Sequence, residues 1–416
     1  MTKRKLNSII PAMYITREIE ETLNTYLAQF KCVLVTGARQ AGKTTLLKNC
    51  LGANFAYVTL DDMNERNNAI ESPSTFLQSS DTPIIIDEVQ LVPQLFRHIK
   101  FIVDKNSEFG QVVLTGSQSF NLMQGISDSL AGRVGILNLS GLSLRELAGT
   151  SRCAAYAPKK LSRDKFIKAP ENFDLWQHMC KGAMPQLQHK QVDSQAFYSS
   201  YVMTYIERDV RQLINLKNER KFYNFLVATA ARTGQLLNVS EIASVIEIDN
   251  KTVQSWLSVL EASGIIHILK PLWANVNKRI TKTPKLYFMD TGLACYLTGW
   301  QTAEQLKRGA MRGHMFETFV VSEVLKSFMN AGKDVRNVFF YRDRKKNEID
   351  LVILDGRTLH PVEVKAGANI KPSAIKNFKQ LESFKDFEVG FGNVICQTET
   401  PYWLSENVQA ISVWDI

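Results

Sequence analysis

The rhythm of apolar positions changes three times along the chain. From about Lys31 to Leu147, short and nearly unbroken apolar runs ("CVLVTG", "FAYVTLD", "PIIIDEV", "QVVLTGS", "VGILNLSG") alternate with amphipathic segments. Runs apolar at every position suit strands buried on both faces. Their alternation with helices predicts a five-stranded parallel sheet in a doubly wound α/β domain over residues 1–150. Residues 151–232 lose that rhythm. "CAAYAPKKLSRDKFIKAPENF" is polar and proline-marked and reads as a connector, followed by helical sequence that includes "YSSYVMTYIERDVRQLINL". From Leu237 to Asp290 the pattern predicts two short helices and a strand pair. From about Arg312 to Ile416 it predicts a helix, a β-hairpin, a strand and a closing helix–strand, so residues 301–416 read as a second α/β domain.

The region 233–300 reads as a winged helix. In "NVSEIASVIEIDNKTVQSWLSVLEASGII", Ser240 is placed to cap the first helix and "EIDN" makes the turn. On the second helix Val253, Trp256, Leu257 and Leu260 share one face, leaving Lys251, Gln254, Ser255 and Ser258 outward. Gly264 ends that helix, and "IIHILKPLW" to "KLYFMD" forms the wing. The wing carries Lys278, Arg279, Lys282 and Lys285 with no acid among them, a charge pattern suited to DNA phosphates. The outward helix face holds a single charge, so a protein-interaction role is the competing reading.

A length of 416 residues exceeds one ordinary core and fits several domains; 45% hydrophobic and 22% charged residues are the balance of a soluble globular protein. The net charge of +9 is spread along the chain, compatible with nucleic acid without requiring it. The six cysteines lie far apart with no zinc or disulfide spacing, which points to reduced thiols in a cytoplasmic protein. The first apolar run is short and broken by Pro11, which argues against a signal peptide, and no run of 18 apolar residues predicts a membrane span.

Gly37, Gly42, Lys43 and Thr44 fit GxxxxGK(S/T) at the end of the first strand and the start of a helix. Glycines there let backbone N–H groups of Gly37, Ala38, Arg39, Gln40, Ala41, Gly42 and onward to Thr45 wrap phosphate oxygens. Lys43 neutralises phosphate charge, and the Thr44 hydroxyl suits Mg²⁺. "PIIIDEVQ" supplies the complement: Asp87 at a strand end for the Mg²⁺ shell, and Glu88 to polarise a water for attack on the γ-phosphate of ATP. The plainer alternative for Glu88 is a helix cap. Ser117 and Gln118 in "VVLTGSQS" sit where a γ-phosphate could be sensed, or Ser117 caps a helix. Arg133 in "LAGRVG" reads as a transition-state cation, in cis or from a neighbouring copy, or as a surface residue.

"VLVTGARQAGKTTLL", "YVTLDD", "IIIDEVQ", "VVLTGSQSF" and "SLAGRVGILNLSGLSLREL" resemble the AAA-superfamily prokaryotic ATPases that carry a C-terminal domain of unknown function. The later segments "YVMTYIERDV", "ATAARTGQLLN", "LYFMDTGLA" and "VEVKAG" resemble the same family. The resemblance covers nearly the whole chain. It implies a P-loop ATPase core with a catalytic glutamate, a winged-helix-like middle and a nuclease-like end. One departure is "LSGLS", where a proline commonly precedes the leucine–serine pair.

"NEIDLVILDGRTLHPVEVKAG" carries a different chemistry. Asp355-Gly356 marks a tight turn between two strands. Alternation puts Ile349, Leu351 and Ile353 on one face and Glu348 and Asp350 on the other. On the second strand Val362 and Val364 face the core, and Glu363 and Lys365 face away together. Asp350, Glu363 and Lys365 then converge as in the PD-(D/E)xK nuclease fold, which the segment resembles. That resemblance implies a second Mg²⁺ or Mn²⁺ held by the carboxylates, with Glu317 from the preceding helix as a further acid and Lys365 steadying hydroxide or phosphate. A salt-bridged surface pair is the plain alternative. Three functions are therefore open: an ATPase acting on DNA, an ATP-gated nuclease, and a nucleotide-dependent switch for a protein partner. A homo-oligomer fits any of them.

Overall fold

The computed structural model describes residues 14–79, 83–105, 107–116, 129–150, 152–162, 166–189, 191–206, 219–272 and 283–416. The five predicted apolar runs form β1 (Cys32–Thr36), β2 (Ala56–Thr59), β3 (Ile84–Asp87), β4 (Val112–Thr115) and β5 (Val134–Asn138). They make one five-stranded sheet in the order β2-β3-β4-β1-β5, with every pairing parallel. Alternate side chains explain the unbroken runs. Leu34, Ile86 and Leu114 enter one core with Phe96 and Ile99 of the helix Leu95–Lys105. Val33, Val35, Ile85 and Val113 enter the other core with Ile19, Leu46 and Leu47. Because all strands run the same way, β1 and β3 both end at one edge, and that edge carries the phosphate motifs.

The middle region contains helices Val239–Ile246 and Asn250–Ala262 and a three-stranded sheet, β6 (Gln235–Leu236), β7 (Ile266–Leu269) and β8 (Lys285–Phe288), in the order β6-β8-β7. Val253, Trp256, Leu257 and Leu260 are buried, as their spacing predicts. The cap is Asn238 rather than Ser240: its side chain accepts from Glu241 N at 3.2 Å, and Ser240 is the second residue of the helix. Lys278, Arg279 and Lys282 lie outside the described residues.

The C-terminal part opens with helix Arg312–Asn330 and continues as a seven-stranded mixed sheet. Its strands are β9 (Val338–Arg342), β10 (Glu348–Asp355), β11 (Thr358–Val364), β12 (Glu388–Val389), β13 (Gly392–Cys396), β14 (Tyr402–Ser405) and β15 (Val408–Ser412). The hairpin turn is at Gly356, whose φ of +58° explains the glycine, and Asp355 pairs with Thr358 across it. Simple alternation fails on β10. Its register against β9 shifts between Ile349 and Val352, so one extra residue is accommodated at Asp350–Leu351. Ile349 and Val352 therefore share one core, while Leu351 and Ile353 pack in the core on the other face. The closing helix is replaced by short 3-10 segments, Pro372–Ile375 and Phe378–Ser383.

Boundaries expected at 232/233 and 300/301 do not divide cores. One continuous cluster joins Leu144, Tyr156 and Trp176 of the connector, Phe222 and Trp256 of the middle region, and Phe316, Val320, Val324 and Trp414 of the C-terminal part. Among the described residues no helix is long and apolar enough to cross a membrane. All six cysteines are free.

Candidate functional site

β1 runs into the loop Gly37–Gly42 and then the helix Lys43–Leu51. Gly37 has φ +137°, and a Cβ there would lie 2.0 Å from Leu139 O; only glycine lets the loop lie against the segment after β5. Gly42 precedes the helix at φ +93°. The amides from Gly42 onward thus open a helix N-terminus, the backbone geometry that receives phosphate. Lys43 is buried, and its ammonium donates to Gly37 O at 3.0 Å and Ala38 O at 2.9 Å. Burial pulls its pKa down to about 8, against the pull of Glu88 and Asp87. Arg39 is half-buried on the loop, and Gln40 and Thr45 are exposed. Gln40 adopts φ +59° and Ala41 is fully buried.

Asp87 closes β3 directly opposite. Its Oδ2 accepts from Thr44 Oγ1 at 2.8 Å and from Tyr57 OH at 2.7 Å; its Oδ1 accepts from Glu88 N at 3.1 Å. Thr44 and Asp87 are an oxygen pair of the kind Mg²⁺ takes. The buried hydroxyls of Thr36 and Thr115, at the same sheet edge, have no partner among the described residues. These donors fit a magnesium–nucleotide complex. Glu88 occupies the left-handed region at φ +55°, a conformation that costs a non-glycine residue energy and recurs at functional sites. It makes no side-chain cap bond to the 3-10 turn that follows. Its carboxylate instead takes a short hydrogen bond from Gln90 Nε2. Burial raises its pKa; Gln90 opposes that rise and the Asp87 charge adds to it. A carboxylate made more basic beside the metal pair suits proton acceptance from water.

Arg133 does not join this group. It immediately precedes β5, level with the start of β1 and hence at the opposite end of the sheet from the P-loop. Its guanidinium pairs with Asp104 at 2.5 Å on the surface. The expected contribution in cis is corrected on that ground. Ser117 and Gln118 lie outside the described residues.

Three site residues escape the motif reading. Gln90 holds Glu88. Tyr57 holds Asp87. Arg17, buried beneath the P-loop, donates to Ala41 O at 2.9 Å, to Glu146 Oε1 at 2.9 Å and to Ser140 O at 2.8 Å. Glu146 also accepts from Glu18 N and Ser143 N, both at 2.8 Å. The segment after β5 that carries Glu146 reaches the C-terminal helix: Leu144 N donates to Glu323 Oε2 at 2.8 Å, and Lys326 Nζ donates to Leu142 O at 3.0 Å. A buried polar chain thus links the P-loop backbone to helix Arg312–Asn330. A cavity of about 470 Å³ lies between Gly37–Ala38, the end of helix Asn250–Ala262 and Val335–Phe339. Gly37 and Ala38 of the P-loop line it, whereas Lys43, Thr44, Asp87 and Glu88 do not, so it lies at the seam between regions, beside the phosphate-binding loop.

In the C-terminal sheet, Asp350, Glu363 and Lys365 do converge. Lys365 Nζ lies 2.5 Å from Glu363 Oε1 and 3.8 Å from Asp350 Oδ2, and Val364 N donates to Asp350 Oδ2 at 2.9 Å. Burial pushes Asp350 up to about 6, and the Glu317 charge adds to it; burial and then the Asp350 charge push Glu363 up to about 7. Glu317 joins them through Lys285. Its Oε1 accepts from Lys285 Nζ at 2.8 Å and from Tyr287 OH at 2.7 Å. Lys285 also lies 2.7 Å from Glu348 Oε1 and 4.0 Å from Asp350 Oδ1. Among the described residues no group of three carboxylate, thiol or imidazole side chains could hold a metal ion. Of the three acids expected to share a second metal, Glu317 and Asp350 face the Lys285 ammonium, and Asp350 and Glu363 face that of Lys365. Lys285, expected on a wing facing phosphates, is buried and serves this cluster instead.

Three family models match successive parts of the chain. Residues 29–148 match the family model of an AAA domain, residues 172–304 that of a domain of unknown function (DUF8612), and residues 312–416 that of another (DUF4143). An uncharacterized protein of Mycobacterium tuberculosis, Rv2008c, is 28% identical over 402 residues, covering 95% of this chain and 83% of its own length. The uncharacterized protein Mb2031c of Mycobacterium bovis aligns with the same figures. Among solved structures, a Walker-type ATPase of Pyrococcus abyssi is 15% identical with a TM-score of 0.42, covering 67% of this chain and 94% of that one. The RuvB Holliday junction branch migration motor of Thermotoga maritima is 13% identical with a TM-score of 0.28, covering 60% and 88%. The N-terminal domain is thus an AAA-type P-loop domain, by its family model and its parallel sheet.

Proposed function

We propose that this chain hydrolyses ATP with Mg²⁺ and passes the state of the nucleotide to its C-terminal half. The observation that carries the reading is the meeting of Lys43, Thr44, Asp87 and a strained, half-buried Glu88 at one sheet edge. Bound Mg²⁺ would be held by Thr44 and Asp87 and would neutralise phosphate charge. Lys43 leaves its carbonyl partners to meet the β- and γ-phosphates. Glu88, steadied by Gln90, orients a water and takes its proton. The amides of Gly37–Thr45 fix the phosphates in line with that water. Arg17 holds the underside of the same loop and, through Glu146 and the 140–146 segment, touches the helix bearing Glu323 and Lys326. A phosphate that reshapes the loop changes what Arg17 and Glu146 can hold, which is the physical content of the coupling.

A second reading concerns the target. Lys251, Gln254, Ser255 and Ser258 stand outward on the helix Asn250–Ala262, and the chain is net basic, which favours DNA. The test is ATP hydrolysis by the purified chain and by Lys43→Ala, with and without single-stranded, duplex and branched DNA, the strands being run on a gel. Mg²⁺-dependent phosphate release that Lys43→Ala abolishes supports the ATPase; none under any condition refutes it. Stimulation by DNA supports the second reading, and rates indifferent to DNA, with no binding at low salt, move the target to a protein.

A further inference from the structure

Four carboxylates meet where β8 of the middle region touches the C-terminal sheet: Glu317, Glu348, Asp350 and Glu363. Three cations face them. Arg342 pairs with Glu348 Oε2. Lys365 spans Glu363 and Asp350. Lys285 enters from a different region of the chain. Its ammonium lies 2.8 Å from Glu317 Oε1, 2.7 Å from Glu348 Oε1 and 4.0 Å from Asp350 Oδ1, and its side chain is 3% exposed. The Phe340 ring lies 5.6 Å from the ammonium and backs it on the apolar side. The bulge at Asp350–Leu351 aims Asp350 into this group.

We propose that Lys285 is the resident cation of this cluster, taking the place a divalent metal would hold between Glu317, Glu348 and Asp350. The acids then work as a charge latch that fastens β8 to the C-terminal sheet, not as a nuclease metal site. The physical case is one of space and tethering. A Mg²⁺ or Mn²⁺ ion needs several oxygens at roughly 2.0–2.2 Å. An ammonium already within hydrogen-bonding distance of two of those oxygens excludes it. Being part of the chain, that ammonium is present at high effective concentration and is not lost to chelators. Without it the carboxylates would repel one another, so the cluster needs one cation or another. This inference does not depend on the ATPase reading, which rests on different residues.

The test is Mn²⁺ binding by electron paramagnetic resonance on the nucleotide-free full chain. The wild type is expected to show no site tighter than about 1 mM. Lys285→Met is expected to gain one that is at least about tenfold tighter, because unneutralised acids attract a divalent ion. The double variant Lys285→Met/Asp350→Asn should lose it again, and Lys285→Arg should match the wild type. Wild-type binding that Asp350→Asn removes and Lys285→Met leaves unchanged overturns the proposal, as does a folded Lys285→Met that gains no site. If Lys285→Met unfolds in chelator, a melting transition restored by Mn²⁺, with no shift in the wild type, supports the proposal. Failure of Mn²⁺ to restore it counts against the proposal.

Discussion

The P-loop edge of the N-terminal sheet and the hairpin of the C-terminal sheet are made from the same parts: carboxylates on buried strands and a nearby lysine. They differ in where the ammonium goes. At the first site Lys43 is held by the carbonyls of Gly37 and Ala38, and the oxygens of Thr44 and Asp87 meet each other, Tyr57 and the Glu88 amide, with no ammonium on them. At the second, Lys285 lies directly on Glu317 and Glu348. The first arrangement keeps a place for a divalent ion and a phosphate; the second fills it. Residue types therefore do not decide whether a constellation is catalytic. The decision rests on whether a cation from elsewhere in the chain already satisfies the acids.

The comparison breaks most sharply at Lys43. Lys43→Ala is expected to lose ATP binding altogether in a fluorescent-nucleotide titration, whereas Lys285→Met should leave nucleotide affinity unaltered. Next in size is Arg17→Ala, which leaves Glu146 buried without its cation. Removing one partner of a buried pair costs about 3–5 kcal/mol, so the melting temperature should fall and nucleotide should bind more weakly. Loss of stability with unchanged nucleotide affinity would reduce Arg17 to a structural role.

A pH series sharpens the contrast from the other side. Asp350 and Glu363 hold protons more tightly when folded, at about 6 and about 7. Their stabilising contribution is whole below about pH 4 and is lost as the pH rises through 6 to 7. Asp350→Asn removes one of the two. Its stability relative to the wild type should rise as the pH increases through 6, from near parity at acid pH, read from denaturant melts. A constant difference across that range would contradict the burial ascribed to Asp350. Smallest is Arg133→Ala. Its ion pair is on the surface, so melting and turnover at low protein concentration should be unchanged within about twofold. A large loss of turnover appearing only at high protein concentration would assign Arg133 to a neighbouring copy's site.

Much of the fold was legible because it is local. Five apolar runs gave five parallel strands, and Val253, Trp256, Leu257 and Leu260 turned inward as spaced. The P-loop was legible because one short stretch holds most of its geometry, and Asp355-Gly356 marked its hairpin. What stayed hidden depends on tertiary contact. Nothing around Arg17 signals that it lies under Ala41, and Lys285 reads as one more basic wing residue until β8 meets helix Arg312–Asn330. Period-two alternation could not foresee the bulge that redistributes Ile349, Leu351 and Val352. Nor could composition show that the connector, middle and C-terminal regions share a core, since that depends on which apolar faces meet. Arg133 falls to its surface alternative because it stands at the start of β5, the end of a parallel sheet away from the phosphate loop.

The central claim is that the N-terminal site turns ATP over through Glu88, and one measurement addresses it most directly: steady-state phosphate release at saturating Mg²⁺–ATP by wild type and Glu88→Gln, with nucleotide binding measured on the same samples. The account predicts that Glu88→Gln binds ATP as the wild type does and releases phosphate at least about 10²-fold more slowly, the scale of a lost general base. Equal turnover by the two proteins would contradict it.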